Sequence, residues 1–195
     1  GSVPAGFASG PALRYPMGSV EAATVTTPAK RAMHEKTVTS IKERPLPPNI
    51  RQEIKQHMAD AALLLRVEPE EDTPGAIVAA IDVFLSKWQE GDRPALDEDE
   101  GNDLPFWLGS LWGQQLVEAL GWQWATLILP RKRKPAVVVG VVSPDRSAVL
   151  YPFHAVRAFL EQGGHVPVRR VFATIMEGAK LRDLPPRGYR NVMEL

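Results

Sequence analysis

Gly109 and Gly113 stand four residues apart inside LPFWLGSLWGQQLVEAL (104–120). In that segment Leu108, Leu111, Trp112, Ala119 and Leu120 otherwise build a wide helical apolar face. Glycine inside a helix costs about 1 kcal/mol relative to alanine. Two glycines at i and i+4 therefore predict a bare stripe of backbone against which another element packs closely. In a membrane span the same spacing reads as a dimer seam. Here Gln114 and Gln115 lie beside it, and the reading is close packing on a strand or a second helix. Asn102 or Asp103 is the expected N-cap, and Gly121, directly after the last periodic residue, is the expected stop.

The chain beyond Gly121 is β-rich. WQWATLILP and PAVVVGVVS are joined by RKRK, and SAVLYP comes after PDR. Connections this short favour an antiparallel, three-stranded meander. Val137, Val138 and Val139 run in succession, so the sheet is expected to be covered on both faces. Trp122 and Trp124, two apart, should point to one side as an aromatic block beneath the glycine-bearing helix.

Further helices flank this centre. Asn49 is placed to cap one that carries Ile50, Ile54, Met58, Ala61 and Leu65 on one face. Thr73-Pro74 starts a second, with Ile77, Ile81, Phe84, Leu85 and Trp88, ended by Gly91. The acidic stretch EGDRPALDEDEGND then reads as a solvated loop. Pro152 starts the helix FHAVRAFLEQ, and a last helix spans roughly 168–179 with Val168, Val171, Phe172 and Ile175 on one side. The tail LPPRGYRNVMEL reads as irregular. The expected architecture is α+β: about five helices on a small three-stranded antiparallel meander, in one domain over 47–195. Residues 1–46 read as an extended proline-rich arm, since seven prolines fall within 1–48 with little periodic hydrophobicity. Phe7, Leu13, Tyr15 or Val25 are its expected anchors, on the parent domain or on a second chain.

Composition narrows the function. Apolar residues make up 44% and charged residues 24%, with a formal net charge of zero. No global field draws the chain to nucleic acid or to an anionic membrane. Cysteine is absent, which excludes disulfides, thiolate metal sites and a cysteine nucleophile. No apolar run approaches the roughly 20 residues of a membrane span. The first residues lack the basic start and apolar block of a secretory signal, so the expected compartment is the cytoplasm.

The search for chemistry finds little. There is no nucleophile elbow, phosphate loop, dinucleotide-binding glycine triplet or H-E-x-x-H. His34, His57, His154 and His165 have no metal-like spacing. Asp145 is placed to offset Arg146 within the PDR turn, and no nucleophile–base pair can be built there. No cofactor, metal or catalytic residue is expected. The sharpest charge feature is Arg131, Lys132, Arg133 and Lys134. On a hairpin tip these read as a solvated turn that discourages edge pairing, as a phosphate contact, or as a dock for an acidic protein surface. Nucleic acid is the less favoured partner, because no aromatic interleaves the cations. Trp88, Trp112, Trp122 and Trp124 read as core, and Trp107, near a helix start, as an exposed interface anchor. The acidic residues Asp97 to Glu100 are the alternative working face.

The order L-G-x3-G-x2-L-V-x2-L-G-W-x-W, then strands, then Y-P-F leading into an amphipathic helix, resembles a bacterial family of small α+β domains with no assigned activity. Leu108, Gly109, Gly113, Leu116, Val117, Leu120, Gly121, Trp122, Trp124, Pro152 and Phe153 carry the match, over roughly residues 75 to 165. The resemblance implies an immunity-protein-like role, since similar domains are encoded near bacterial toxins, and it implies no catalytic residue. The proline-rich arm and the basic hairpin tip depart from the family pattern. The expected function is a non-enzymatic bacterial protein-binding module of the immunity or adaptor kind. The alternative is a structural subunit whose arm threads onto neighbouring chains, and an enzyme of unrecognised type ranks third.

Overall fold

The computed structural model describes residues 41–131, 134–162 and 168–195. The anchors expected in the arm, as well as Lys132, Arg133, His34 and His165, lie outside the described residues. In chain order the elements are β1 (Lys42–Pro45), α1 (Pro48–Leu65), α2 (Pro74–Gln89), α3 (Glu98–Leu120), β2 (Gln123–Leu129), β3 (Ala136–Val142) and β4 (Ala148–Leu150). After them come α4 (Pro152–Gln162), α5 (Val168–Glu177), β5 (Arg190–Asn191) and a 3₁₀ turn over Val192–Glu194.

The fold is α+β, but its sheet is not the three-stranded antiparallel meander expected. It has five strands in the order β1-β2-β3-β4-β5 and is mixed, since β5 runs parallel to β4. The central three strands do form antiparallel neighbours, with Trp124 opposite Val141 and Val141 opposite Leu150. The correction is at both edges. Residues 42–45 (KERP), assigned to the arm, pair antiparallel with β2, and two residues of the tail pair with β4. Neither stretch has apolar alternation, so neither announces itself as a strand. Each forms because β2 and β4 would otherwise present a row of unpaired N–H and C=O groups.

The helix ends show which local signals held. Thr73 Oγ1 accepts the Ala76 N–H at 3.3 Å, with Pro74 in the first turn, as expected of that pair. Helix α1 starts one residue before Asn49, on Pro47 and Pro48, and has no side-chain cap. Helix α3 starts far upstream of Asn102 and Asp103. Asp97 accepts the Glu100 N–H at 2.8 Å, and the Glu100 carboxylate accepts the Asp97 N–H at 3.0 Å. Of the acidic stretch read as a solvated loop, residues 91–95 do form an exposed connection, whereas Asp97 to Glu100 make a capping box and first helical turn. There the negative charge of Glu98, Asp99 and Glu100 complements the positive end of the helix dipole. Gly121 closes α3 in the left-handed conformation, φ 65°.

The sheet separates two apolar clusters. On one side Trp122, Val141, Ala148 and Leu150 join α2, α3, α4 and α5 through Ile77, Ile81, Leu108, Trp112, Phe159 and Phe172. On the other side Ala125, Leu127, Val142 and Val149 are buried together, with Ile41, Tyr151 and Tyr189 against them. Both faces of β2 and β3 thus carry buried apolar residues, although Val137, the first of the valine run, stays exposed.

At the glycine stripe neighbouring side chains come closer to the helix backbone than a Cβ would allow. A Cβ placed on Gly113 would lie 2.5 Å from the Trp124 ring and 3.0 Å from Val141 Cγ2. One on Gly109 would lie 2.7 Å from Phe153 Cδ1 and 3.1 Å from the Phe153 backbone nitrogen. Both positions are buried. The helix gives up intrinsic propensity so that a strand tryptophan and the first turn of α4 can rest on its backbone. Gly113→Ala is therefore expected to lower stability by about 1–3 kcal/mol through overpacking, against the gain alanine normally gives a helix, and leucine at 109 or 113 to lower it at least as much. Gly101→Ala, where nothing lies within 4 Å, should be neutral or stabilise by up to about 1 kcal/mol. Urea unfolding of the variants checks the contrast.

Candidate functional site

A polar clamp holds the edge strand in place. The Glu43 carboxylate on β1 accepts Arg146 Nε at 3.1 Å, Arg146 Nη2 at 2.9 Å and the Tyr189 hydroxyl at 2.8 Å. Arg146 also donates to the Pro144 carbonyl at 2.7 Å and to Gln123 Oε1 at 2.9 Å. Its backbone is left-handed, φ 62°, in the turn between β3 and β4. Asp145 builds that turn: Oδ1 accepts the Ser143 hydroxyl at 2.7 Å, the Ser147 hydroxyl at 2.8 Å and the Ser147 N–H at 3.0 Å. The turn also receives the C-terminal segment, through Tyr189 N to Arg146 O at 2.9 Å and Arg187 N to Asp145 O at 3.1 Å. Asp145 was expected to offset Arg146. Asp145 does contribute favourably to the Arg146 charge, but the ion pair joins Arg146 to Glu43, 103 residues away, and the Asp145 oxygens bond the serines.

The charges obey these contacts. The Arg146 hydrogen bond holds the Glu43 carboxyl below its ordinary range despite partial burial. The Ser147 N–H and the Ser143 hydroxyl lower Asp145. Partial burial, then the Glu43 hydrogen bond, raise Tyr189. Ser143 and Ser147 sit beside a carboxylate with no imidazole or amine among these contacts. Their hydroxyls are spent on the turn, so this cluster is architecture rather than a nucleophile–base pair.

Beside the clamp lies an open groove of roughly 550 Å³. Arg44 and Pro45 of β1, Arg51 in the first turn of α1, Val117 of α3, Trp122 and Trp124 line it, with Arg146 at its rim. Three arginines and one carboxylate thus line the groove among the described residues, and that carboxylate, Glu43, is already engaged by Arg146. Arg44 and Arg51 are exposed and have no ion pair among the described residues.

From the groove an aromatic row runs along α3. Trp124 stacks on Phe153 at 5.7 Å between ring centroids, Phe153 meets Phe106 at 5.5 Å, and Phe106 stacks with His57 at 5.9 Å. All four rings are half-buried. Gln114 Oε1 accepts the Trp124 indole N–H at 3.2 Å and fixes that ring. Arg157 lies 5.7 Å over Phe106. His57 is held below its ordinary pKa chiefly by burial, against the pull of Asp103 and Asp60. Burial raises Asp103. Exposed His154, with Tyr151 edge-on at 6.4 Å, is lowered by desolvation and by Arg157 and Arg131. Burial pushes the Tyr151 hydroxyl up to about 12.

The residues singled out in the sequence fall in several places. Arg131 and Lys134 are exposed at the β2–β3 connection. Trp107 is half-buried against the main core instead of standing free. Trp122 is buried, while Trp124 serves both the core and the groove. Asp97 and Glu100 are committed to their capping box. Sequence reasoning passes over Arg44 and Arg51: they flank the Pro-Leu-Pro-Pro stretch, and only the pairing of β1 with β2 brings them onto one groove. No helix among the described residues is long and apolar enough to cross a membrane. No protein-family model matches the chain, nor does any curated protein or solved structure.

Glu43 gives a pH test of the clamp. A carboxyl whose folded pKa lies below its unfolded one adds stability above the unfolded value and loses it as pH falls through the folded value. Stability should therefore decline from roughly pH 5 towards pH 3. Glu43→Gln should cost about 1–3 kcal/mol at neutral pH and flatten that decline, as read by urea unfolding across the pH range.

Proposed function

We propose that the domain is a non-enzymatic protein-binding module and that the groove between β1, α1 and β2 takes an acidic segment of a partner protein. The observation that carries this reading is the pair Arg44 and Arg51, two exposed guanidinium groups with no ion pair among the described residues, beside a floor of Trp122, Trp124 and Val117. Arginine and tryptophan are the side chains that most often anchor protein interfaces, because each combines apolar area with directed hydrogen bonds. A segment with two carboxylates spaced to reach Arg44 and Arg51, and an apolar side chain between them, matches that lining. Arg131 and Lys134, exposed on the β2–β3 connection, add positive charge that speeds encounter more than it adds affinity.

The sequence resemblance supports the setting of this reading: a bacterial protein of the immunity or adaptor kind. A chain with no cysteine and no need of an oxidising compartment fits a cytoplasmic one. The same chemistry disfavours nucleic acid, whose recognition would draw on a wide basic surface, whereas here 23 basic residues are matched by 23 acidic ones.

The test is binding of a synthetic peptide rich in Asp, Glu and Leu, with duplex DNA as the second probe. Arg44→Glu combined with Arg51→Glu should weaken peptide binding at least about tenfold and leave the unfolding midpoint nearly unchanged, as is usual for exposed positions. Replacing Arg131, Lys132, Arg133 and Lys134 with serine should slow association and reduce its salt dependence, with dissociation little changed. Peptide affinity that is the same in the wild type and the groove variant overturns the assignment of the groove. Tight duplex binding that falls steeply with salt and vanishes in the serine variant replaces the protein partner with nucleic acid.

A further inference from the structure

A second surface lies on the outer side of α1. Leu63 is 82% exposed, the most exposed large apolar side chain among the described residues. It borders an open groove of about 750 Å³, whose floor includes Met58, Ala59, Ala62 and Val67. The ends of this groove differ in sign. Lys55 stands on the N-terminal side, and on the other side Glu68, Glu70 and Glu71 outnumber Arg66. Arg66, left-handed at φ 56°, turns the chain there, and the Val67 N–H returns to the Ala62 carbonyl at 3.1 Å. The acidic turn is thereby folded back beside the end of the helix.

We infer that this face is occupied by a second copy of the chain, with the two α1 helices packed antiparallel about a two-fold axis midway between Ala59 and Leu63. A two-fold interface must be self-complementary, and this one meets that condition twice. Along the helix Leu63 and Ala59 are about 6 Å apart, a large side chain and a small one on one ridge. Antiparallel pairing sets each Leu63 over the partner copy's small position and fills both. The same register sums residue numbers to 122, so Lys55 falls opposite position 67 and beside the first acidic residue of the turn. The positive end of each groove thus meets the negative end of the other. A parallel arrangement would set Lys55 against Lys55 and the acidic turns against each other. This inference does not depend on the arginine groove, because it uses neither Arg44 nor Arg51.

Sedimentation velocity of the full chain from about 1 to about 500 μM, the range in which a small interface is expected to associate, tests it. The wild type should show a concentration-dependent dimer. Leu63→Glu should raise the dissociation constant at least about tenfold and, at so exposed a position, leave the unfolding midpoint unchanged. Lys55→Glu should weaken the dimer, and adding Glu68→Lys in the same chain should restore it, because both pairs are then reversed. A wild type that stays monomeric across the range overturns the inference, and so does a dimer indifferent to Leu63→Glu. Loss of the dimer in Leu63→Glu without rescue by the charge reversal overturns the antiparallel register. Arg44→Glu, on β1 and outside the α1 face, should leave dimerisation unchanged while weakening peptide binding, which separates failure of this inference from failure of the acidic-segment reading.

Discussion

The fold depends on how closely α3 can be approached. Its backbone is bare at Gly109 and Gly113, and through that stripe a strand tryptophan and the first turn of α4 reach the helix axis more nearly than any side chain would allow. Phe153 seats over one glycine and Trp124 over the other, and the two rings stack on each other. One pair of missing side chains therefore sets the distance from α3 to the sheet, the seat of α4 and the start of the aromatic row. The buried faces of Leu108, Leu111, Trp112 and Leu116 contribute the bulk of the apolar burial on this helix, and burial is non-directional. The glycines supply the direction.

A second constraint acts at the sheet edge. The strand KERP has almost no apolar area with which to hold its place, and it is secured by charge. Glu43 gathers Arg146 from the β3–β4 turn and Tyr189 from the C-terminal segment. Both partners stand on left-handed backbone, at φ 62° and 45°. Such conformations are costly outside glycine, and here a network of side-chain and backbone hydrogen bonds holds them. The clamp has an electrostatic consequence. It engages Glu43, the carboxylate among the described residues that line the adjoining groove, while the exposed guanidinium groups of Arg44 and Arg51 have no ion pair among the described residues.

Much of the interior is legible in the residues. The glycine stripe, the Gly121 stop, the Thr73-Pro74 start, the three central strands and the helix at Pro152 all derive from short-range rules: periodicity, propensity and turn chemistry. Those rules fail where local and distant demands part. Asp97 and Glu100 read as solvated acids because a capping box and a charged loop share a composition, and only the reciprocal hydrogen bonds distinguish them. Trp107 reads as free because its place near a helix start says nothing of the core it packs against.

Residues a few positions apart thus dictate which stretches bury apolar surface, where most helices begin or end, and that something must press against Gly109 and Gly113. The two outer strands, the partner of Arg146 and the groove of Arg44 and Arg51 exist only once the chain has folded. The difference is one of range. A short edge strand is stabilised by the unpaired backbone of its neighbour, and an ion pair between residues 43 and 146 by a turn of the sheet. Neither contribution is a property of the segment that receives it, so neither leaves a periodicity to read.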